Sequence, residues 1–310
     1  MIWWILGAVA LIAAAVLLIS YVCFRMAFFV DRRKRQSTDI QELYKGEIYK
    51  PHLAYLSQCA QELRAMPCKE METVSFDGLK LYGRYYEYAP GAPIELMMHG
   101  YRGSAERDLG CGVHRAYALG HSVLLVDQRC SGRSGGKVIT FGIREHKDCL
   151  SWIARLEAQF GPDVRIMLTG ISMGAATVLL AAGQPLPSTV VGVLADCGYT
   201  SPKEIIRVVI RKMKLPAGVA YFFVKLGARL YGGFDLEECA PIEAVKKATV
   251  PVLFFHGEAD NFVPCEMSQR NFDACASRKK LVTSPDAGHA LCFPMAKERY
   301  LDHMGQFFGF

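Results

Sequence analysis

The stretch RIMLTGISMGAATVLL, residues Arg165–Leu180, decides the fold of this sequence. Its first five residues form an apolar run with the length of a buried strand, and its last six are typical of a helix. Between them lies Gly170–Gly174, a G-x-S-x-G pentapeptide. A serine on such a sharp turn adopts a strained backbone conformation, and its neighbours two residues away must lack side chains. The stretch therefore predicts a nucleophile at Ser172, above a helix N-terminus that favours negative charge.

Short apolar runs also occur before and after this stretch, each followed by a helical pattern. They are Ile94–Met98, Ser122–Val126, Val190–Ala195, Val250–Phe255 and Lys280–Val282. Strands that alternate with helices predict a mostly parallel sheet covered on both faces, that is, an α/β fold. Upstream, Val74–Phe76 and Leu79–Tyr86 flank Asp77-Gly78, a pattern that predicts two strands joined by a tight turn.

The interval from Cys197 to Pro241 breaks this alternation. It contains no strand pattern, but Ile205–Ile210 and Val219–Leu230 have a helical one. A helical insertion after the carboxyl end of a strand lies where ligands bind in open α/β sheets. The insertion, at about 198–241, is therefore a candidate lid, and an ordinary pair of packing helices is the alternative.

Two further segments follow strands downstream of the serine. Asp260 lies in the loop after Val252–Phe255, and His289 lies in the Ala287–Ala290 loop after the last strand. With the G-x-S-x-G pentapeptide, they resemble the α/β-hydrolase superfamily over Val74–Phe310. In that fold the acid and the histidine follow the serine in chain order. The resemblance implies that Asp260 is the catalytic acid and His289 the catalytic base.

The oxyanion of such an enzyme needs two backbone N–H groups aimed at it. The N–H of Met173, directly after the nucleophile, is one candidate. His99–Gly103 follows the strand Ile94–Met98 and resembles the family's His-Gly oxyanion loop, which makes the N–H of Tyr101 the second. The triple glycine of some lipases and esterases is missing from this loop, which argues against that branch.

Other polar residues compete for roles in the site. Asp196 also follows a strand, where some family members carry the acid, but the motif around Asp260 favours Asp260. Asp127 and Arg129 are expected to brace the site, and His99 to hold the oxyanion loop. The remaining histidines considered show no metal-ligand spacing: His114, His121, His146 and His303. Cys197 lacks a base of its own, so a thiol nucleophile is not expected.

The N-terminus has the pattern of a membrane-spanning helix. Ile2–Phe24 contains no charged residue and would span roughly 34 Å as a helix. Trp3, Trp4 and Tyr21 lie near its ends, as in interfacial belts. A cleaved signal peptide is the alternative, but the basic n-region and small-residue cleavage site are absent. The basic run Arg32–Arg35 then predicts a single-pass protein with its catalytic domain on the cytoplasmic side.

Composition excludes several classes of protein. The 310 residues are 51% hydrophobic and 21% charged, which argues against disorder, and a net charge of +6 is too small to argue for nucleic-acid binding. Eleven cysteines without a C-x-x-C pair favour free thiols in a reducing compartment over disulfides or zinc. No nucleotide or flavin motif is present, so we expect neither a cofactor nor a metal.

These observations predict three parts: an anchor at 1–30, a basic flank and linker at 31–70, and an α/β-hydrolase domain at 71–310. The expected activity is hydrolysis of a carboxylic ester or thioester, or of an amide, through an acyl-enzyme on Ser172. The anchor and the apolar insertion make a lipid-like acyl substrate plausible. The alternatives are a serine aminopeptidase-like or haloperoxidase-like enzyme, and a membrane-tethered binding module without catalysis.

Overall fold

The computed structural model describes residues 1–31 and 47–309, which are built around an eight-stranded sheet. The strands are β1 (Lys69–Val74), β2 (Lys80–Tyr86), β3 (Ile94–Met98), β4 (Ser122–Asp127), β5 (Ile166–Ile171), β6 (Val190–Asp196), β7 (Val252–Gly257) and β8 (Lys279–Ser284). Their order across the sheet is β1-β2-β4-β3-β5-β6-β7-β8. The strands β3 to β8 pair in parallel, whereas β2 runs antiparallel to both β1 and β4. The mostly parallel sheet that the sequence predicts is confirmed.

Helices cover both faces of this sheet. The helices of the described residues are α1 (Ile2–Ala27), α2 (Leu53–Ala65), α3 (Ala105–Ala118), α4 (Glu145–Phe160), α5 (Met173–Ala182), α6 (Pro202–Lys212), α7 (Ala217–Gly227), α8 (Pro241–Ala244), α9 (Cys265–Ala274), α10 (Cys292–Met295) and α11 (Lys297–Phe308). Of these, α1 packs on α7 and not on the sheet. On one face, α4 and α5 pack in a core that includes Leu96 and Trp152. On the other, α3 packs against Met97 and Leu125, and α11 against Leu253. The central strands read as continuous apolar runs because both of their faces are buried.

The turn between β1 and β2 is longer than the sequence pattern suggests. Strand β1 ends at Val74, so Ser75 and Phe76 belong to the turn. The reason is local hydrogen bonding, because the Ser75 hydroxyl donates to Asp77 (2.6 Å) and accepts from the backbone N–H of Leu79 (2.7 Å). Gly78 has a φ of +83°, which glycine adopts without strain.

Helices fill the interval after β6, as the sequence predicts. The helices α6 and α7 pack against each other, and a π-helical turn, Ala228–Gly232, follows α7. This helical insertion buries Ile206, Ile210 and Val224 in a second core. Several apolar side chains of the same segment stay exposed, among them Met213, Leu215, Val219 and Phe222.

Within the described residues, α1 is the helix long and apolar enough to cross a membrane. The basic run 32–35 that the orientation argument uses lies outside those residues. The C-terminal part of α1 packs against the insertion, with Phe24 buried. A side chain at Gly227 would lie 2.3 Å from the carbonyl oxygen of Ser20, so this contact is backbone to backbone. The hydroxyl of Tyr231 donates to the carbonyl of Leu17 at 3.1 Å.

The chain after α1 continues this contact into the hydrolase core. Phe28 is fully buried, and its ring meets the rings of Phe141 and Phe234 edge to face at 5.8 and 5.2 Å. The carbonyl of Phe28 accepts the N–H of Ile139 at 2.9 Å, and the N–H of Val30 donates to the carbonyl of Lys137 at 2.8 Å. The end of α1 is therefore a packed part of the domain and not only a tether.

Truncation of Phe28 tests this packing. Phe28→Ala is expected to lower the free energy of unfolding by about 3–5 kcal/mol, since a buried aromatic ring leaves a cavity that the surroundings fill only in part. The measurement is denaturant unfolding of the full chain in detergent micelles. The control is Leu11→Ala, because Leu11 on α1 is 74% exposed and should leave unfolding unchanged. Equal stability of the two variants would contradict the docking of this segment.

Candidate active site

Ser172 lies on the turn between β5 and α5 in a strained conformation. Its φ is +56° and its ψ is −115°, a region that residues other than glycine rarely adopt. Its backbone N–H donates to the carbonyl of Asp196 at 2.8 Å, which holds the turn against β6. The residue is 8% exposed. Backbone strain of this kind, fixed by neighbouring strands, is typical of a nucleophile presented at the edge of a sheet.

The two glycines of the pentapeptide are required by the space around them. A Cβ at Gly170 would lie 2.1 Å from the carbonyl oxygen of Gly174. A Cβ at Gly174 would lie 1.9 Å from the carbonyl oxygen of Met98 at the end of β3. Both distances are far below van der Waals contact, and both obstacles are backbone atoms. The turn can therefore form only with glycine at these positions, as the sequence argument expects.

Asp260 and His289 meet although they are supplied by different loops. Asp260 follows β7 and His289 follows β8, and Nδ1 of His289 lies 2.6 Å from Oδ2 of Asp260. The other carboxylate oxygen, Oδ1, accepts the backbone N–H groups of Phe262 (2.7 Å) and Val263 (2.9 Å). These contacts fix the carboxylate, and the carboxylate in turn fixes the orientation of the imidazole ring.

The environment of Asp260 favours its ionised form. Burial alone would raise the pKa of this carboxyl group, but contacts with His256 and His289 and the N–H of Val263 together hold its pKa well below the usual range. Nε2 of His256 lies 3.3 Å from Oδ2. Asp260 is therefore a hydrogen-bond acceptor at neutral pH and can stabilise a positive charge on His289.

Ser172 and His289 line the same cavity, which has a volume of about 690 Å³. Gly100 and Tyr101 border it as well, and so does Phe262, whose ring centroid lies 5.1 Å from that of His289. The structure thus brings Ser172 and His289 to one cavity and places Asp260 against the imidazole. Nδ1 of His289 is hydrogen-bonded to Asp260 and not to Asp196, whose Oδ2 accepts the hydroxyl of Tyr300 at 3.1 Å.

The loop after β3 is held by a network of hydrogen bonds. Nδ1 of His99 lies 2.8 Å from the carbonyl oxygen of Gly100, and the N–H of Gln128 lies 3.1 Å from Nε2. Burial lowers the pKa of His99, which favours the neutral ring that this arrangement requires. The N–H of Gly100 donates to Asp108 at 2.8 Å. His99 thus holds the loop together, since both of its ring nitrogens are engaged with backbone groups there.

The same loop is fastened to the end of α1. The hydroxyl of Tyr101 donates to the carbonyl of Ala27 at 2.8 Å, and the guanidinium of Arg102 donates to the carbonyls of Met26 (2.9 Å) and Phe29 (3.0 Å). No local pattern in the sequence indicates this contact, since it joins segments more than 70 residues apart.

Met173 is the first residue of α5, so its N–H has no carbonyl partner within that helix.

The other polar candidates have structural partners. Arg129 pairs with Asp148 at 2.7 Å and with Asp77 at 3.0 Å, and Asp127 accepts the N–H of Arg133 at 3.0 Å. Cys197 lies with Asp260 and His289 in a group whose ligand-type atoms are within 4.8 Å of one another. Burial raises the pKa of Cys197 well above its usual value, which keeps it a thiol and makes it a poor nucleophile or metal ligand.

The segment before β1 contributes more to the cavity than the sequence indicates. Tyr49 and Leu56 line the cavity, and the hydroxyl of Tyr49 lies 3.4 Å from the carbonyl oxygen of His289. The helix α2 packs on α3, where Gly110 lies close to the backbone of Ala60. The spacing of apolar residues in α2 predicts a helix, but it does not predict that this helix packs on α3 beside the cavity.

Comparison with known proteins shows which family this chain resembles. The model of the alpha/beta hydrolase family matches residues 96–302. A Bacillus subtilis protein described as uncharacterized, YqkD, is 27% identical over 98% of this chain and 96% of its own length. An uncharacterized Mycobacterium tuberculosis protein is 29% identical over 69% of each chain.

Solved structures show the same fold. An esterase from Pyrococcus furiosus superposes with a TM-score of 0.66 at 23% identity, covering 80% of this chain and 92% of the esterase. Est1E from Butyrivibrio proteoclasticus, solved with ferulic acid, has a TM-score of 0.59 at 20% identity over 77% of this chain and all of its own. The family model covers well over half of the sequence. The chain therefore belongs to the alpha/beta hydrolase family.

Proposed function

We propose that this hydrolase cleaves carboxylic esters or thioesters through an acyl-enzyme on Ser172. The observation that carries the proposal is the position of His289, which is hydrogen-bonded to Asp260 at 2.6 Å and borders the same cavity as Ser172. A serine hydroxyl is a poor nucleophile until a base removes its proton. His289 has the partner that a base needs, because the carboxylate of Asp260 fixes the tautomer that leaves Nε2 free to accept this proton.

The reaction proceeds in two halves. Oγ of Ser172 attacks the carbonyl carbon while Nε2 of His289 takes the proton, and Asp260 stabilises the imidazolium that forms. His289 then donates the proton to the leaving alcohol or thiol. In the second half a water molecule, deprotonated by His289, attacks the acyl group, and the imidazolium returns this proton to Oγ of Ser172 as the acid is released. The backbone N–H groups of Tyr101 and Met173 are our candidates for stabilising the oxyanion in each half.

A lipid-like acyl substrate and a membrane location belong to the same proposal. The apolar residues of α1 are exposed over most of the helix, and Arg25 lies in its last turn, as expected for a span that ends at a membrane surface. The exposed Leu215 and Val219 lie on the insertion that packs against α1. We therefore propose a single-pass anchor with the hydrolase domain on the cytoplasmic side.

The test is pre-steady-state hydrolysis of p-nitrophenyl esters by the full chain in detergent micelles. An acyl-enzyme predicts a burst of p-nitrophenol equal to the concentration of enzyme, followed by slower turnover. A series from acetyl to decanoyl tests the acyl-chain preference. A steady fall in kcat/KM along this series would contradict a lipid-like substrate, and turnover of all esters without acylation of the protein would contradict the mechanism.

A further inference from the structure

The helical insertion touches α1 within the stretch that the sequence predicts to cross a membrane. The hydroxyl of Tyr231 donates to the carbonyl of Leu17 at 3.1 Å, and its ring meets that of Tyr21 edge to face, with 5.2 Å between the centroids. Gly227 lies against the backbone of Ser20. Later residues of the insertion therefore contact earlier residues of α1, so Tyr231 reaches farther towards the N-terminus of α1 than Gly227 does.

Helix geometry sets the depth of this contact in a membrane. A hydrocarbon core of about 30 Å takes about 20 residues of helix, so a span that begins at Ile2 leaves the core at about Tyr21. Leu17 comes four residues earlier, which places it roughly 6 Å inside the core. A tilted helix needs more residues to cross, so tilt would place the contact deeper still. The end of α7 and the π-helical turn therefore lie at the level of lipid.

The outward side of this part of the insertion is apolar. Phe222 and Leu230 are more than half exposed, Tyr231 is exposed, and Leu226 is partly exposed. Phe222, Leu226 and Leu230 follow one another at intervals of four residues, which places them on nearly the same side of the helix. Leu226 directly precedes Gly227, so this side adjoins the contact with α1. We call Phe222, Leu226, Leu230 and Tyr231 the insertion surface.

The polar groups beside the insertion surface have partners within the protein. Arg229 pairs with Asp235, and Nζ of Lys225 lies 3.1 Å from a carboxylate oxygen of Glu237. The hydroxyl of Tyr231 is bonded to a backbone carbonyl, as a polar group that leaves water must be. These groups therefore do not oppose the burial of the insertion surface in lipid.

The charge of the insertion favours an anionic membrane as its partner. Between Glu204 and Asp235 the sequence contains six Lys or Arg residues and no acidic residue. Three of the cations, Arg211, Lys212 and Lys214, lie exposed at the turn between α6 and α7. Basic side chains next to an apolar helix face are typical of segments that lie in the interface of a membrane with anionic headgroups.

We infer that the helical insertion is a second membrane-binding element, which immerses the insertion surface in the leaflet on the side of the hydrolase domain and binds anionic headgroups with its basic residues. The inference rests on the membrane location proposed for α1 and goes beyond it, since a simple tether would leave the domain in water. Lys212 donates to the carbonyl of Phe262, which lines the cavity. The immersed insertion thus keeps the cavity close to the lipids.

The test is photolabelling of the full chain in nanodiscs of phosphatidylcholine and phosphatidylglycerol, each with one chain. A small share of the lipid carries a diazirine on an acyl chain, and mass spectrometry of peptides locates the adducts. Adducts within residues 219–231 should be about tenfold more frequent than those in the peptide with Val74, an exposed apolar residue on the edge strand β1.

A pair of variants makes the test specific. Leu230→Asp should reduce the adducts within residues 219–231 by about threefold, because a carboxylate is costly in lipid. Val74→Asp is the matched control, since it places the same charge at an exposed apolar position and should leave these adducts unchanged. Adducts on α1 should persist in both variants, and near-ultraviolet circular dichroism verifies that both are folded.

The outcomes separate this inference from the proposed function. Adducts on α1 without an excess within residues 219–231, or an excess that Leu230→Asp does not reduce, would overturn the inference and leave the anchor intact. The absence of adducts on both segments would refute the anchor as well. In vesicles, chemical crosslinks between two chains at 219–231 in place of lipid adducts would assign the surface to a second copy and overturn the inference. Labelled residues 219–231 in a protein without an acyl-enzyme would support the inference and refute the proposed chemistry alone.

Discussion

Replacement of Ser172 by alanine is expected to lower kcat for p-nitrophenyl esters by a factor of about 10⁶, to the level of the remaining oxyanion donors and binding contacts. The change removes the atom that forms the acyl-enzyme but leaves the turn intact, since alanine adds no atom to the space around Ser172. The measurement is kcat from steady-state hydrolysis by the full chain, with the burst amplitude recorded in parallel.

A matched serine provides the control for this variant. Ser151 lies on α4, where its hydroxyl donates to the carbonyl of Lys147 in the same helix at 3.3 Å. Ser151→Ala should therefore retain the full rate and the full burst. A Ser172→Ala protein that still shows a stoichiometric burst would place the acyl group on another residue and contradict the mechanism.

Replacement of Asp260 by asparagine is expected to lower kcat by about 10⁴-fold while the protein stays folded. Oδ1 can keep its bonds to the N–H groups of Phe262 and Val263, which directs the new amide towards Nδ1 of His289. An amide N–H facing Nδ1 makes this nitrogen an acceptor. The ring then carries its proton on Nε2 and can no longer accept the proton of Ser172.

Asp196→Asn is the informative comparison for Asp260→Asn. Both carboxylates follow strands and both are buried, but only Asp260 is hydrogen-bonded to His289. The measurement is kcat for p-nitrophenyl acetate over a range of pH, with near-ultraviolet circular dichroism to verify folding. A greater loss of kcat in Asp196→Asn than in Asp260→Asn would show that the acid is Asp196 and that our assignment is wrong.

The features that the sequence predicts best are those fixed by local sterics. The turn at Ser172 needs glycine at 170 and 174 because of backbone contacts of about 2 Å, and this requirement is visible in the pentapeptide itself. The parallel strands are equally visible, since burial on both faces produces short apolar runs. The order of Ser172, Asp260 and His289 along the chain predicts their proximity only through the resemblance to the family.

Features that depend on contacts between distant segments could not be predicted. The hydroxyl of Tyr101 donates to the carbonyl of Ala27, 74 residues away, and neither segment has a sequence pattern that predicts the contact. A membrane-like run suggests a simple anchor, whereas its C-terminal end packs on the loop that carries one proposed oxyanion donor.

The docking of α1 bears on how the enzyme should be studied. Arg102 and Tyr101 bond to backbone carbonyls at the end of α1, and Phe28 fills a pocket in the second core. A protein that lacks residues 1–31 would expose this core and lose three hydrogen bonds to the loop after β3. Experiments on catalysis should therefore use the full chain in detergent or lipid.

The most direct test of the central claim is covalent labelling of the full chain with a fluorophosphonate, followed by mass spectrometry of the labelled peptide. The account predicts one adduct per chain, located on Ser172, and labelling at least a hundredfold slower in His289→Ala, where the base is missing. A folded protein that stays unlabelled, or one that carries the adduct on a residue other than Ser172, would contradict it.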